Sequence, residues 1–142
     1  MEAIIPYVSF AFSIGSVVLS LITFVWTVKR DKKQATFDAF NRLQDEVFDK
    51  INHLSKTKVK EIAANPTKSE FTEYSQHLVR VEQFCIGIQS GIYDFNVTKK
   101  IASKYLNDVF EKSRPIIEHK RKIYPNESQC VEFEKIVRKM SK

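Results

Sequence analysis

Apolar residues dominate the first part of the chain, where no charged side chain occurs from residue 3 to residue 28. As a helix this segment is about 39 Å long, which exceeds the roughly 30 Å hydrocarbon core of a bilayer. A cleaved signal peptide would begin with basic residues and carry a shorter apolar stretch, whereas this chain begins with Glu2. The pattern predicts an uncleaved membrane-spanning helix, with a buried core hairpin or an amphipathic surface helix as the alternative.

Hydroxyl-bearing residues interrupt this apolar segment at intervals of three and four. They are Ser9, Ser13, Ser16, Ser20, Thr23 and Thr27. Residues with that spacing share one face of a helix, so they form a narrow stripe, here called the hydroxyl seam. Small and hydroxylated residues let helices pack closely in lipid and also tolerate water. We predict that the seam faces other copies of the helix or a water path, with simple dimerisation of the helix as the alternative.

Beyond the apolar segment, apolar positions recur every three or four residues, which is the period of an amphipathic helix. The first such stretch begins near Ala35 and ends near Leu54, and no breaker separates it from the apolar segment. We therefore predict one continuous helical rod. The basic sequence KTKVKEIAANP then connects the rod to the next helix and ends at Pro66.

Four further helices are predicted, and strand patterns and internal repeats are missing from the sequence. The first follows a capping box formed by Thr67 and Glu70, the second covers about residues 97 to 112, the third starts at Pro115, and the fourth follows the YPNES turn. These features predict an all-α protein. It divides into an anchor with its basic flank, residues 1–33, and a cytosolic helical domain, residues 34–142.

The net charge and the positions of the cysteines bear on which kinds of binding site the chain can carry. The net charge is +6, and Cys85 and Cys130 fall within helical patterns beside apolar residues. We expect both to be buried thiols, because their spacing fits neither a metal site nor a disulfide framework. The sequence therefore predicts no cofactor and no metal.

Basic residues follow the apolar segment directly, namely Lys29, Arg30, Lys32 and Lys33. The positive-inside rule then places the N-terminus outside and the helical domain in the cytoplasm. In an assembly of such helices, Lys29 and Arg30 would surround the inner mouth.

One pair of residues carries candidate chemistry, Arg114 and His119 in the stretch RPIIEH. Their spacing resembles the R-x(4–6)-H signature of the HEPN superfamily, which implies a helical bundle and metal-independent RNA cleavage. In that chemistry the imidazole and the guanidinium would assist attack by the 2′-hydroxyl and stabilise the developing charge. Active members commonly have a polar residue after the arginine, where this chain has Pro115, and this difference favours a non-catalytic role.

The segment around this motif is basic, with eight Lys and Arg against three acidic residues between positions 99 and 122. Besides Arg114 its basic members are Lys99, Lys100, Lys104, Lys112, Lys120, Arg121 and Lys122. Such a patch is complementary to RNA or to anionic lipid headgroups. The alternative is a solvated helix face with uneven charge.

The anchor, the small basic helical domain and RPIIEH together resemble the membrane-anchored accessory protein, with a divergent HEPN domain, that is encoded beside the RNA-guided RNase of type VI-B CRISPR loci. The stretch EQFCIGIQSGIYD also resembles a wider set of bacterial membrane-anchored helical proteins. The resemblance implies a homo-oligomeric pore or permeability factor in antiviral defence. Its partners would be copies of itself, membrane lipid, and the guided RNase or RNA. The alternatives are a membrane-tethered, dimeric HEPN endoribonuclease and a plain membrane-anchored scaffold.

Overall fold

The computed structural model describes the backbone of residues 5–125 and 129–142, and the side chains of residues 13–125 and 129–142. In these ranges the chain forms helices and no strands, which confirms the all-α prediction. The α-helices are α1 (Ile5–Leu43), α2 (Asp49–His53), α3 (Lys56–Ala64), α4 (Ser69–Gln89), α5 (Phe95–Ile123) and α6 (Val131–Met140). Ser9 falls within α1, but its side chain lies outside the described residues.

Helix α1, a π-helical turn (Gln44–Phe48) and α2 follow one another without a break, so one continuous rod runs from Ile5 to His53. At about 1.5 Å per residue the rod is roughly 73 Å long. The π-helical turn widens the helix locally and lets the adjacent residues Val47 and Phe48 both enter the core. The predicted continuity of the rod is confirmed.

The rod has a free part, residues 13–31 of the described side chains, and a packed part, which begins near Thr36. Every side chain from residue 13 to residue 31 is exposed, and the first buried one is Thr36. The Thr36 hydroxyl donates to the carbonyl of Lys32 at 2.7 Å and accepts from the backbone N–H of Asp94 at 2.8 Å. These two bonds compensate for the burial of a polar group where the rod enters the bundle. The division into residues 1–33 and 34–142 stays a prediction.

Helices α4 and α5 pack against the distal half of the rod, whereas α3 and α6 pack chiefly on α4 and α5. Arg80 on α4 pairs with Glu46, and Lys112 on α5 donates to the carbonyls of Ile51 and Asn52 at 3.2 and 3.1 Å. Together with the contact between Thr36 and Asp94, these pairs show that α4 runs antiparallel to the rod and α5 runs parallel to it. One apolar core lies between the rod, α4, α5 and α6.

The start of α4 differs from the prediction. Residues 56–64 of the basic piece before Pro66 form α3, whose N-cap Ser55 accepts from the N–H of Lys58 at 3.1 Å. The predicted capping box of Thr67 and Glu70 is wrong, since Lys68 occupies the N-cap position of α4 without a side-chain bond. The Glu70 carboxylate instead pairs with the Lys58 ammonium at 3.3 Å, which ties α4 to α3.

A break before Pro115 is likewise not observed, because Pro115 lies inside the 29-residue helix α5. Proline removes one backbone hydrogen bond and disfavours a helix interior. Here Ser113, Ile116 and Ile117 are all buried around it. Packing of these side chains holds the helix together through the proline, and such packing generally supplies most of the stability of a helix.

The apolar period of the sequence predicts which faces of α4 and α6 turn inward. All its positions on these helices are buried; they are Phe71, Tyr74, Leu78, Val81, Cys85, Ile88, Cys130, Phe133, Val137 and Met140. On α5 the same period predicts that Ile101, Tyr105, Val109 and Phe110 face inward; Val109 and Phe110 are buried, whereas Ile101 and Tyr105 lie at the margin and Ala102 and Leu106 are buried instead. On the rod the period also includes Phe37, which is 42% exposed.

Candidate functional site

The hydroxyl seam is exposed over its described length. At about 100° per residue, Ser13, Ser16, Ser20, Thr23 and Thr27 fall within an arc of roughly 80°, and all five are exposed. The hydroxyl of Thr23 donates to the carbonyl of Leu19 at 2.9 Å, which satisfies its donor within the helix. Such a hydroxyl enters an apolar environment at little cost and still offers an acceptor to a neighbouring helix.

The seam continues along the rod as a polar line. Gln34, Asp38 and Asn41 share the direction of the seam by helical geometry and are exposed, and Gln34 donates to Asp38 at 3.0 Å. The buried rod residues Phe40 and Leu43 lie roughly half a turn away. The bundle therefore packs on the side of the rod opposite to the seam, which leaves the seam side open along both halves.

Large apolar side chains cover the rest of the free part of the rod. Trp26 is 75% exposed, and Leu19, Phe24 and Val17 are similarly uncovered. Exposed apolar surface of this extent indicates contact with lipid or with another chain. The described residues contain one helix that is long and apolar enough to cross a bilayer, and none of its most apolar stretch is buried in the chain. This apolar stretch is therefore not part of the core of the bundle, which the same helix enters further along.

The two residues predicted at the inner mouth lie at the end of this apolar stretch. Lys29 and Arg30 are both exposed, and Arg30 pairs with the neighbouring Asp31 at 3.6 Å between Nε and Oδ1. This ion pair is exposed and contributes little to stability. The cationic groups of Lys29 and Arg30 are therefore accessible to water or to headgroups.

Arg114 and His119 lie on the same helix but point in different directions. Five residues of α5 separate their side chains by roughly 140° about its axis. Arg114 pairs with Glu111 at 2.5 Å between Nη2 and Oε1, and its guanidinium carbon lies 5.9 Å from the centroid of the Phe110 ring. The His119 ring meets the edge of Phe71 at 5.6 Å between centroids. Within one chain, the structure does not bring the two motif residues together.

A groove of about 640 Å³ between α5 and α6 is lined by Arg114 but not by His119. Two further cations of this groove, Arg121 and Arg138, both bind Glu134, at 2.8 and 2.5 Å. The hydrogen bond from Arg121 lowers the pKa of Glu134 despite its partial burial. Ion pairs within the chain therefore engage these two cations as well as Arg114, whereas Lys142, which also lines the groove, is exposed.

The predicted basic patch does not form one surface. Lys112 reaches the last turn of α2, Lys120 is buried, and Arg121 is held by Glu134. The remaining four residues are exposed; they are Lys99, Lys100, Lys104 and Lys122. Glu111 and Glu118 are exposed on the same helix, and their charges interrupt the basic surface.

A second cleft, of about 360 Å³, lies between α2, α3 and α4 and is lined by His53, Tyr74 and His77. His77 is 3.8 Å from Glu73, and its pKa is lowered, chiefly by burial and then by Lys50. The sequence offers no signal for this cleft, because its residues come from separate helices with unrelated spacing. Among the residues that the structure describes, no group of three His, Cys, Asp or Glu side chains is placed so that it could hold a metal ion.

The two cysteines are buried, free thiols, which confirms the prediction that they belong to the core. Burial raises the pKa of Cys130 to about 11 and the pKa of Cys85 well above its ordinary value. Both remain protonated at neutral pH and are poor nucleophiles. They carry no candidate catalysis.

The family model described as "Domain of unknown function (DUF4760)" matches residues 10–140. This range includes most of the apolar segment as well as the whole bundle, so the free rod and the packed helices form one family architecture. Comparison with curated proteins and with solved structures found no match.

Proposed function

The chain belongs to the DUF4760 family, and we propose that it is a membrane-anchored protein whose rods assemble through the hydroxyl seam into a homo-oligomeric pore or permeability factor. The free part of the rod crosses the bilayer. Its large side chains face lipid, while the seam faces neighbouring rods or a central water path. The bundle stands on one surface of the membrane.

Length and exposure support membrane insertion. The free part of the rod exposes Phe24, Trp26 and other large apolar side chains that the bundle leaves uncovered. The four basic residues between Lys29 and Lys33 follow its apolar stretch directly. By the positive-inside rule they retain the bundle in the cytoplasm, and the resemblance to a bacterial accessory protein makes the membrane of this proposal a bacterial inner membrane.

The observation that carries the proposal is the position of the seam relative to the bundle. Small and hydroxylated residues favour close helix contacts in lipid, but such contacts require that the bundles do not collide. Because Phe40 and Leu43 hold the bundle on the opposite side of the rod, several rods can approach seam to seam. The bundles then lie on the outside of the assembly.

The same geometry accounts for the inner mouth. Lys29 and Arg30 end the apolar stretch of each rod and are exposed, so a ring of rods places several cations at the cytoplasmic opening. Rings of charged side chains are a common basis of ion selectivity. The resemblance to the accessory protein of type VI-B CRISPR loci supplies the biological setting of the proposal, which is antiviral defence.

The ribonuclease alternative has less support. Arg114 is paired with Glu111, and His119 packs against Phe71 on another face of α5. General acid–base catalysis requires that both groups reach the same phosphate. Within one chain the two side chains point to different faces of α5, which favours a non-catalytic role for both residues.

The experiment compares two triple leucine variants on opposite faces of the rod. Ser16→Leu, Ser20→Leu and Thr23→Leu fill the seam, whereas Ile14→Leu, Val18→Leu and Val25→Leu alter the opposite face and keep it apolar. Membrane potential is followed by dye in cells overexpressing each protein. We expect the parent and the control to depolarise the cells and the seam variant to lose this activity. Depolarisation by the seam variant equal to that of the parent would contradict the proposal.

A further inference from the structure

One end of the bundle lies close to the apolar segment. The backbone N–H of Asp94 donates to the hydroxyl of Thr36 at 2.8 Å, and Thr36 follows Val28, the last residue of the uncharged run, by eight positions. Eight residues of helix correspond to about 12 Å. The loop between α4 and α5, residues 90–94, is therefore held about 12 Å from the end of the apolar segment.

This loop presents an apolar side chain on a fixed turn. Ile92 is 63% exposed, and the residues on both sides of it are constrained. Gly91 adopts a φ of +79°, which favours glycine. The N–H of Tyr93 donates to the carbonyl of Gly87 at 3.0 Å, and the Tyr93 ring packs on Phe84 at 5.2 Å between centroids. The turn thus holds Ile92 outward although water disfavours its exposure.

Cationic side chains surround the same end. Lys33 extends from the rod, Lys99 follows the start of α5 by four residues, and both are exposed. The ammonium of Lys139 lies 4.6 Å from the centroid of the Phe95 ring. The nearest loop acid, Asp94, accepts from the N–H of Val97 at 3.0 Å and so caps α5. We call Ile92, Lys33, Lys99 and Lys139 the basal face of the bundle.

We infer that the basal face docks on the anionic headgroups of the membrane that the apolar segment crosses, with Ile92 entering the interface. An exposed apolar side chain at an end of the bundle that also carries three exposed lysines matches a surface that is anionic outside and apolar beneath. The face is also continuous with the rod that enters the bilayer. The inference rests on the proposed membrane insertion, but it requires neither a pore nor a particular orientation.

The distance between the loop of residues 90–94 and the end of the apolar segment allows the basal face to reach the headgroups. Headgroups extend several Å beyond the hydrocarbon core, because a bilayer of roughly 40–45 Å contains about 30 Å of hydrocarbon. Lysine side chains extend past the backbone and place their charges at the surface. Docking of Lys33, Lys99 and Lys139 would fix the tilt of the bundle relative to the membrane.

Depth measurements on the full chain test the inference. The protein is reconstituted in nanodiscs of phosphatidylcholine, with or without phosphatidylglycerol, and an environment-sensitive fluorophore is attached at Ile92→Cys. Asn52→Cys, on the exposed far end of the rod, is the matched control. The parent chain, whose two cysteines are buried, gives the labelling background. We expect a nitroxide on the lipid headgroup to quench position 92 strongly in phosphatidylglycerol discs and position 52 weakly. Equal quenching at the two positions would overturn the inference.

Charge reversal tests the headgroup contact. In the Ile92→Cys background, Lys99→Glu with Lys139→Glu should shift the equilibrium away from docking by about fivefold for each lysine, and high salt should act in the same direction. Lys104→Glu with Lys122→Glu, also exposed on α5, is the control for net charge. Circular dichroism verifies that all variants stay folded. Unchanged quenching in the first pair, or an equal loss in both pairs, would refute recognition of headgroups by the basal face.

A label at Val18→Cys separates this inference from the proposed function. If position 18 lies in lipid and position 92 stays in water, the basal face is wrong and the anchor stands. If position 18 itself stays in water, membrane insertion fails and the inference fails with it.

Discussion

Tyr74 illustrates how a single buried residue connects two helices. Its hydroxyl lies 2.8 Å from the Ser113 hydroxyl, and this bond joins α4 to α5 just before Pro115. Burial raises the pKa of Tyr74 from its ordinary value of 10.0 to about 12, although the bond to Ser113 acts in the opposite direction. The folded chain therefore holds the phenolic proton more tightly than the unfolded chain does.

This difference predicts a loss of stability at high pH. Between about pH 10 and 12 the unfolded state binds fewer protons, so the contribution of Tyr74 is full below pH 10 and decreases as the pH rises toward 12. The total loss is about 2–3 kcal/mol. Urea denaturation followed by circular dichroism at about pH 8 and pH 11 should show roughly half of this loss, because pH 11 lies midway between the two pKa values. Tyr74→Phe should cost about 1 kcal/mol at the lower pH and reduce the difference between the two; an unchanged difference would contradict the assignment.

The motif residues Arg114 and His119 give a second prediction. We expect purified protein to cleave a fluorogenic RNA poorly or not at all, because the two side chains lie on different faces of α5. Arg114→Ala should change stability by less than about 1 kcal/mol, since the pair with Glu111 is exposed. His119→Ala should cost about 1 kcal/mol through the lost edge contact with Phe71. Efficient RNA cleavage that His119→Ala abolishes would instead favour the ribonuclease.

Arg114 and His119 show that a sequence motif does not specify the relative direction of its side chains. The spacing of Arg114 and His119 is visible in the sequence, but their relative direction depends on whether the helix continues through Pro115. Buried neighbours on both sides of the proline decide this, and the core that buries them comes from other helices. The sequence alone contains no signal for that packing.

At the scale of elements, α6 depends on a cap supplied by α4. The two carboxylate oxygens of Glu82 accept from the N–H groups of Glu132 and Phe133, at 3.0 and 2.7 Å. A carboxylate at a helix N-terminus satisfies unpaired donors and interacts favourably with the helix dipole. This contact fixes the start of α6 beside Cys130, which adopts a left-handed φ of 55°.

Replacement of Glu82 should therefore loosen α6 selectively. We expect Glu82→Ala to cost about 1–2 kcal/mol, because two buried donors lose their acceptor, and to speed hydrogen exchange in residues 131–140. Glu82→Gln keeps one acceptor oxygen and should give a smaller effect. Equal exchange in the parent and Glu82→Ala would show that the cap is not important for α6.

The elements differ in how far their sequence defines them. The faces of α4 and α6 follow from periodicity alone, since both helices bury one continuous apolar stripe. Helix α3 is short and basic; Ser55 caps it, Val59 and Ile62 anchor it in the core, and the exposed Lys58–Glu70 ion pair links it to α4. Pairing of Glu70 with α3 also explains why it does not reach back into a capping box. Tertiary contacts of this kind cannot be derived from a local pattern.

For the whole molecule, the proposal places the bundle in the cytoplasm. The basic residues between Lys29 and Lys33 flank the apolar segment on its C-terminal side, and the positive-inside rule retains that side within the cell. A reporter enzyme that is active only outside the membrane, fused after Lys142, should be silent in an intact cell. A cytoplasmic reporter at the same site is the control and should be active. The reverse result would contradict this orientation.

The hydroxyl seam could be predicted from the sequence, whereas its relation to the bundle could not. Spacing alone aligns the seam residues, and continuity of the rod follows from the missing breakers. The open side of the rod depends on where Phe40 and Leu43 meet α4 and α5, which is a property of the folded core. That relation makes assembly through the seam sterically possible.

Cysteine cross-linking in membranes tests assembly through the seam most directly. Single substitutions at Ser16, Ser20 and Thr23 are compared with substitutions at Ile14, Val18 and Val25, and each is oxidised in native membranes. We predict cross-linked dimers at the seam positions and few at the other three, because only the seam brings two rods together. Cross-linking that is equal on both faces, or stronger at Ile14, Val18 and Val25, would contradict the account.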